Sequence, residues 1–250
     1  MVETIADELS RADEAFAGNR LLSTFASEDR ALIEPHARMV DLDLGEIVLR
    51  QGDQVLSSVF PVGPTMVSMS VGLSGGRSIE VASIGREGAV GGIVSCGHAP
   101  AFSRASVLVP GPAFIIALEP LEAAKRRSPF VERIFCRFSD YLLAQVMQSV
   151  ACNAFHSIAE RAARWLLHAQ DRAGDRIELT QEGLAGLLGV QRTTVNAVIR
   201  TLQDEGLVRI SRGAVSVTDR VGLKRRACEC YDRLEQHFAA VIGPTGSGGC

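Results

Sequence analysis

The chain has 250 residues, 46% hydrophobic and 22% charged, with a formal net charge of −3 at pH 7. This is ordinary globular composition, long enough for two cores, and it excludes a uniformly basic coat, low-complexity tracts and a short-period repeat array. Charge is unevenly spread: from His156 onward 13 Lys+Arg face 11 Asp+Glu, whereas residues 1–155 hold the other 13 against 18. The positive excess therefore lies in the C-terminal part, as a local phosphate-binding patch requires. No run of 18 apolar residues offers a membrane span. Residues 2–19 are acidic and polar, unlike a secretory signal, so the expected location is cytoplasmic. The six cysteines (Cys96, Cys136, Cys152, Cys228, Cys230, Cys250) are then expected to be reduced thiols.

Residues 1–20 read as a loose or weakly helical lead-in. A short helix follows within 21–40, begun by Ser27, with Glu28 and Asp29 suited to its first turn. From residue 41 to 118 the pattern turns to period two. Ile47 and Leu49, then Val67, Met69, Val71 and Leu73, then Ile79 and Val81 alternate with polar or small residues. Ser74-Gly75-Gly76-Arg77 is a hairpin turn between two of these runs. Glycines and prolines every eight to twelve residues point to an antiparallel all-β roll or barrel. Residues 130–154 lack both Gly and Pro and predict one long helix. Along it Phe135, Phe138, Leu142, Gln145, Ser149 and Cys152 are spaced as a heptad seam. That seam predicts a parallel homodimer, close-packed because half of it is polar or small. Ile134, Tyr141 and Val146 offer a second apolar side for the chain's own roll.

Residues 179–218, LTQEGLAGLLGVQRTTVNAVIRTLQDEGLVRISRGAVSVT, carry the clearest functional signal. Thr180 is a good N-cap, Leu184, Leu187 and Leu188 form one buried face, and Gly189 sits where a helix ends in a left-handed conformation. A second helix over 191–205 turns Val195, Ile199 and Leu202 inward, leaving Arg192, Asn196 and Arg200 outside. Gly206 ends it, and 207–210 and 214–218 alternate around Ser211-Arg212-Gly213 as a β-hairpin. A helix-turn-helix with a wing is the reading, and double-stranded DNA the expected partner. Arginine can donate to guanine O6 and N7 together, asparagine can pair with adenine, and threonine hydroxyls suit phosphate or a thymine methyl. The candidate contacts are Thr180, Gln191, Arg192, Thr193, Thr194, Asn196 and Arg200, with Arg209 and Arg212 on the wing. A helical hairpin in an ordinary bundle is the blander alternative; the glycine turn, the polar face and the basic hairpin weigh against it.

The fold class is α+β: a β-roll over residues 21–125, a dimerisation helix over 129–155, and a winged helix-turn-helix with a C-terminal helix over 156–242. This order resembles the Crp/Fnr family of transcription regulators across roughly residues 21–218. The resemblance is carried by LDLGEIVLRQGD (42–53), by Gly75-Gly76-Arg77 followed by Ile79-Glu80-Val81, and most specifically by LAGLLGVQRTTVNAVIRTL with its wing. It implies a cyclic-nucleotide-type sensory roll whose effector tilts a dimer toward or away from a palindromic operator, with RNA polymerase as a further partner. Arg192 stands where the family reads guanine. The family's frequent glutamate is Thr193 here, and a second common arginine is Ala197, so the operator should differ from the family's best-known half-site. In the roll, the family's glycine-glutamate pair corresponds to Gly91-Gly92, and its Arg-Ser/Thr pair to the inverted Ser103-Arg104. These four are the candidate effector residues, but a cyclic nucleotide is not the expected effector, because neighbours on a strand face opposite ways. The cysteines are not clustered near the N-terminus, so no iron–sulfur cluster is expected.

Cys152 and His156, four apart, could ligate a metal or haem, although such a pair is more often structural. Cys228-Glu229-Cys230 is a C-x-C rather than a C-x-x-C, and no metal is assigned. It lies in an extension, 220–242, that reads as one amphipathic helix through Leu223, Cys230, Leu234 and Phe238. Lys224-Arg225-Arg226 opens that helix as a solvated face or a set of phosphate contacts. Residues 243–250 read as a flexible tail. Two rivals stand beside the regulator: a constitutive DNA binder with a ligand-free roll, and an enzyme using Cys96 and His98. The second lacks a fixed geometry and an orienting third group, so no enzymatic activity is expected.

Overall fold

The computed structural model describes residues 16–74, 78–93 and 99–243. The turn at 75–77, the Cys96/His98 pair, the lead-in before residue 16 and the tail beyond 243 lie outside them. A one-turn helix α1 (Ser27–Arg30) precedes eight strands: β1 (Ala37–Leu42), β2 (Ile47–Leu49), β3 (Ser57–Pro61), β4 (Met66–Gly72), β5 (Ser78–Ile84), β6 (Val90–Gly91), β7 (Arg104–Val109) and β8 (Gly111–Ala117). They form two four-stranded antiparallel sheets, ordered β1-β8-β3-β6 and β2-β7-β4-β5. The inward residues Phe60, Val67, Ile84, Phe114 and Ile116 fill the space between the sheets.

Helix α2 (Leu118–Arg127) leads into the long helix α3 (Pro129–Phe155). Proline at the first position costs α3 no hydrogen bond, and the Ser128 hydroxyl accepts from the Val131 amide at 3.2 Å. The same hydroxyl donates to Asp29 Oδ1, which ties the end of α1 to the start of α3. Along α3 the residues Val131, Ile134, Phe135, Phe138 and Tyr141 are buried in the roll's own core, where Phe238 meets Tyr141 edge-on.

Ser157 and Glu160 close a reciprocal capping box that starts α4 (Ile158–Ala173) immediately after α3. A short strand β9 (Arg176–Ile177), the helices α5 (Gln181–Leu188) and α6 (Arg192–Asp204), and the strands β10 (Val208–Ser211) and β11 (Ala214–Val217) complete a three-stranded winged domain, ordered β10-β11-β9. Its core joins Leu166, Leu184, Val195, Ile199, Leu202 and Val215. Each such side chain contributes on the order of 1.5–3 kcal/mol by leaving water. Met66 and Val109 of the roll extend that core, so the two units share an apolar boundary.

The C-terminal extension is two helices rather than one, α7 (Arg220–Arg226) and α8 (Cys230–Val241). Ala227 adopts an extended conformation (φ −77°, ψ 151°) and breaks the run. The break lets α7 stay with the winged domain while α8 crosses to α3, and it turns Cys228 and Cys230 inward.

Candidate nucleic-acid interface

The geometry of the tandem α5–α6 unit follows from three local devices. Thr180 Oγ1 accepts from the Gly183 amide at 3.0 Å and starts α5. Gly189, at φ 68° and ψ 33°, ends it in the left-handed region, which a side chain would strain. A Cβ there would also sit 3.1 Å from Ile79 Cδ1 of β5. Arg161 of α4 donates from Nη2 to the Leu188 carbonyl at 2.7 Å, satisfying an orphan acceptor at the end of α5. Burial disfavours the charged form of this guanidinium.

Val195, Ile199 and Leu202 anchor α6 from below, which leaves its first turn open. Gln191, Arg192, Thr193, Thr194 and Arg200 are exposed. Arg192 meets Glu182 of α5 at 3.5 Å in a solvent-exposed pair, a neighbour that sequence spacing did not reveal. Asn196 departs from expectation. It is half-buried, and its Oδ1 is shielded from solvent with no hydrogen-bond partner, so it does not share the open face of Arg192 and Arg200.

The wing is held beside α6 by Gln203, whose Oε1 accepts from the Ile210 amide at 3.1 Å. Ser211 pairs with Ala214 across a two-residue turn of Arg212 and Gly213, the latter at φ 74°. Arg209 and Arg212 are exposed. Arg176 of β9 adds a third cation, its Nη1 3.3 Å from Ser211 Oγ. Sequence reasoning missed it, because a two-residue strand carries no readable alternation. Thr180, Gln181 and Arg192 line one recess with Ser211 and Gly213, joining the helix N-terminus to the wing.

Residues 160–226 match the Crp-like helix-turn-helix domain. That stretch of the chain is a Crp-like helix-turn-helix domain. The fold of the chain is similar to that of FixK2 from Bradyrhizobium japonicum (16% identity, 77% of this chain and 98% of that one, TM-score 0.66). It is also similar to a CRP-family transcriptional regulator from Thermus thermophilus (20% identity, 75% and 96%, TM-score 0.63). A third similar structure is the c-di-GMP-responsive global regulator CLP of Xanthomonas campestris (17% identity, 76% and 97%, TM-score 0.60). In sequence, a 52-residue stretch is 36% identical to the HTH-type transcriptional regulator Cmr of Mycobacterium tuberculosis (strain CDC 1551 / Oshkosh), covering 21% of each chain.

Two of the expected sites are arranged differently. The candidate effector residues are not brought to one cavity. Gly91 pairs with Ser58 in the β3–β6 ladder, and a Cβ on Gly92 would collide with Leu118. Arg104 begins β7 opposite Ser70 in the other sheet, where it lines an open recess with Arg50, Ser70 and Ser78. Ser103 precedes that strand and is half-buried.

The heptad seam is also reassigned. Phe135 and Phe138 are in the roll core, Gln145 donates to the Ser83 carbonyl at 3.1 Å, and Cys152 lies 3.6 Å from Cys228. Leu142 and Ser149 are half-buried. The chain's own roll and its last helix occupy that face, since aromatic residues bury more area there than a half-polar seam offers a twin. The open apolar stripe is Leu143, Met147 and Val150, exposed at 58%, 63% and 67%. Among the described residues no helix is long and apolar enough to cross a membrane.

Proposed function

We propose that the chain is a transcription regulator of the Crp/Fnr type, a homodimer that reads a two-fold symmetric operator through α6 of each copy. The observation that carries the reading is the open first turn of α6. Arg192 and Thr193 project from a helix whose other face is locked into a core, beside a wing whose exposed Arg209 and Arg212 suit phosphate contacts. Dimerisation is supported by the Leu143, Met147 and Val150 stripe, spaced four and three residues along α3. A two-fold axis along α3 would present two copies of α6 to half-sites about one DNA turn apart. RNA polymerase is the partner that the family likeness suggests for the promoter-bound dimer.

The roll is proposed to hold a small-molecule effector that shifts this equilibrium. Arg50 and Arg104 in one recess favour an anionic effector. The missing glutamate at Gly91-Gly92 disfavours a cyclic nucleotide held in the family's usual way. A roll that serves only as a scaffold is the competing reading, and the regulator would then bind constitutively.

Selection of bound fragments from a random DNA pool tests the function. The expected product is a palindrome whose half-site departs from the family's best-known one, because Thr193 and Ala197 replace a carboxylate and an arginine. Recovery of non-symmetric sequence, or no enrichment in dilute salt, overturns the reading. A thermal-shift screen of small anions separates the sensor from the scaffold, since a true effector stabilises the native state by mass action.

A further inference from the structure

We propose that Cys152, His156, Cys228 and Cys230 form a binding site for one tetrahedral transition-metal ion of the zinc class, which clasps the end of α3 to the α7–α8 junction. Nothing in the DNA-reading face requires these four residues. They come from two places 76 residues apart, yet their ligand atoms all lie within 4.8 Å of one another. The three sulfurs form a buried cluster of their own, separate from both main cores.

The spacings fit one ion at the centre. A tetrahedral zinc with Zn–S near 2.3 Å and Zn–N near 2.0 Å separates two sulfurs by about 3.8 Å and a sulfur from a nitrogen by about 3.5 Å. Cys152 Sγ and Cys228 Sγ are 3.6 Å apart, and Cys230 Sγ and His156 Nδ1 are 3.5 Å apart. A disulfide would need about 2.05 Å, and all four cysteines among the described residues are free. A multi-iron cluster would spread its cysteine sulfurs wider than this.

The surroundings match a metal site as well. His156 presents Nδ1 inward while its Nε2 lies 3.2 Å from Glu229 Oε2, the carboxylate–histidine arrangement that fixes the ring and its tautomer for a ligand. Gln148 Nε2 donates to Cys230 Sγ at 2.9 Å, as amides do to metal-bound thiolate. Three thiolates and a divalent ion leave one negative charge, and the guanidinium group of Arg164 acts electrostatically on Cys152. A cluster of thiols kept only for packing would not turn an imidazole nitrogen toward the sulfurs and anchor the opposite nitrogen on a carboxylate.

The site's position gives it a role. His156 is the C-cap of α3 and Ser157 the N-cap of α4, so the ligands sit at the hinge between the roll's long helix and the winged domain. The C-x-C pair lies on the segment that breaks the extension into two helices. An ion here fixes how α7 and the winged domain hang from α3, and with it the separation of the two reading helices in a dimer.

Full-length protein purified under reducing conditions without chelator is expected to carry one zinc per chain by elemental analysis. After the metal is stripped, added Co²⁺ should produce the intense visible bands of tetrahedral geometry and a thiolate charge-transfer band. Cys228→Ser and His156→Ala should each abolish stoichiometric metal. Glu229→Gln should weaken it by about tenfold while leaving the fold intact. Cys136→Ser, at an exposed cysteine, should retain it. Because a ligand variant can misfold, wild-type protein is also compared with and without metal, and the loaded form should melt at the higher temperature. The proposal is overturned by a native Cys152–Cys228 disulfide, by metal-free protein with no cobalt spectrum, by iron with multi-iron absorption, or by metal retained in both ligand variants.

Discussion

Arg172 of α4 reaches across to Glu87 of the roll, its Nε 3.0 Å from Oε2 and its Nη2 on Oε1, with both side chains buried and 85 residues apart. The arginine also donates to the His168 carbonyl at 3.0 Å, and Glu87 accepts from the Gly85 amide at the same distance. This bidentate pair bolts the winged domain to the roll, and the adjacent Arg172 holds the Glu87 carboxyl below the usual range despite its burial.

Removing one partner should cost far more than removing both. Arg172→Met leaves a buried carboxylate unpaired and is expected to destabilise by about 3–5 kcal/mol in urea unfolding. Adding Glu87→Gln should return part of that loss. The depressed Glu87 carboxyl makes the pair's contribution present above the normal carboxylate range and lost as pH falls through the folded value. A loss in the double variant equal to the sum of the losses in the two single variants would show that the pair is not coupled.

Glu80 works in the opposite direction. It accepts from Ser68 Oγ at 2.6 Å and from Trp165 Nε1 at 3.0 Å, and burial raises its carboxyl from 4.5 to about 7. The neutral form is therefore favoured by folding. Its contribution is complete below about pH 4.5 and disappears as pH rises to about 7, a change on the order of 3 kcal/mol. Trp165 is the chain's one tryptophan, so its emission should titrate with a midpoint near pH 7 and become flat in Glu80→Gln.

On DNA, the division between reader and positioner is sharp. Arg192→Ala should cost about 1–3 kcal/mol on the selected operator and relax preference at one base pair. Arg212→Ala should weaken all sequences alike and reduce the salt slope by about one. Binding titrations on matched and mismatched duplexes across salt distinguish them, and identical behaviour of the two variants would refute the assignment.

The reassigned face of α3 predicts two different failures. Met147→Glu should give a folded monomer in analytical ultracentrifugation, because it alters only the exposed stripe. Phe135→Ala should instead destabilise the protomer by about 3–5 kcal/mol through the cavity it leaves in the roll core.

Much of this molecule was legible along the chain because its signals are local. Thr180, Gly189 and the Val195, Ile199, Leu202 spacing lie within one helix or one turn, and they specify the α5–α6 unit through capping and periodicity alone. The β-roll was readable from period-two alternation, and the long helix from its lack of Gly and Pro. What periodicity cannot say is which of two apolar faces a helix turns toward its own chain. On α3 that choice depended on how much aromatic surface the roll and α8 could bury, so Phe135 and Phe138 of the expected dimer seam became core together with Ile134 and Tyr141, and Leu143, Met147 and Val150 became the open side. The withdrawal of Asn196, the Glu87–Arg172 bolt and the meeting of Cys152 and His156 with Cys228 and Cys230 are likewise tertiary outcomes. Each joins groups distant in sequence or depends on packing from a second element, and such proximity is set by the closed fold rather than by the local pattern of residues.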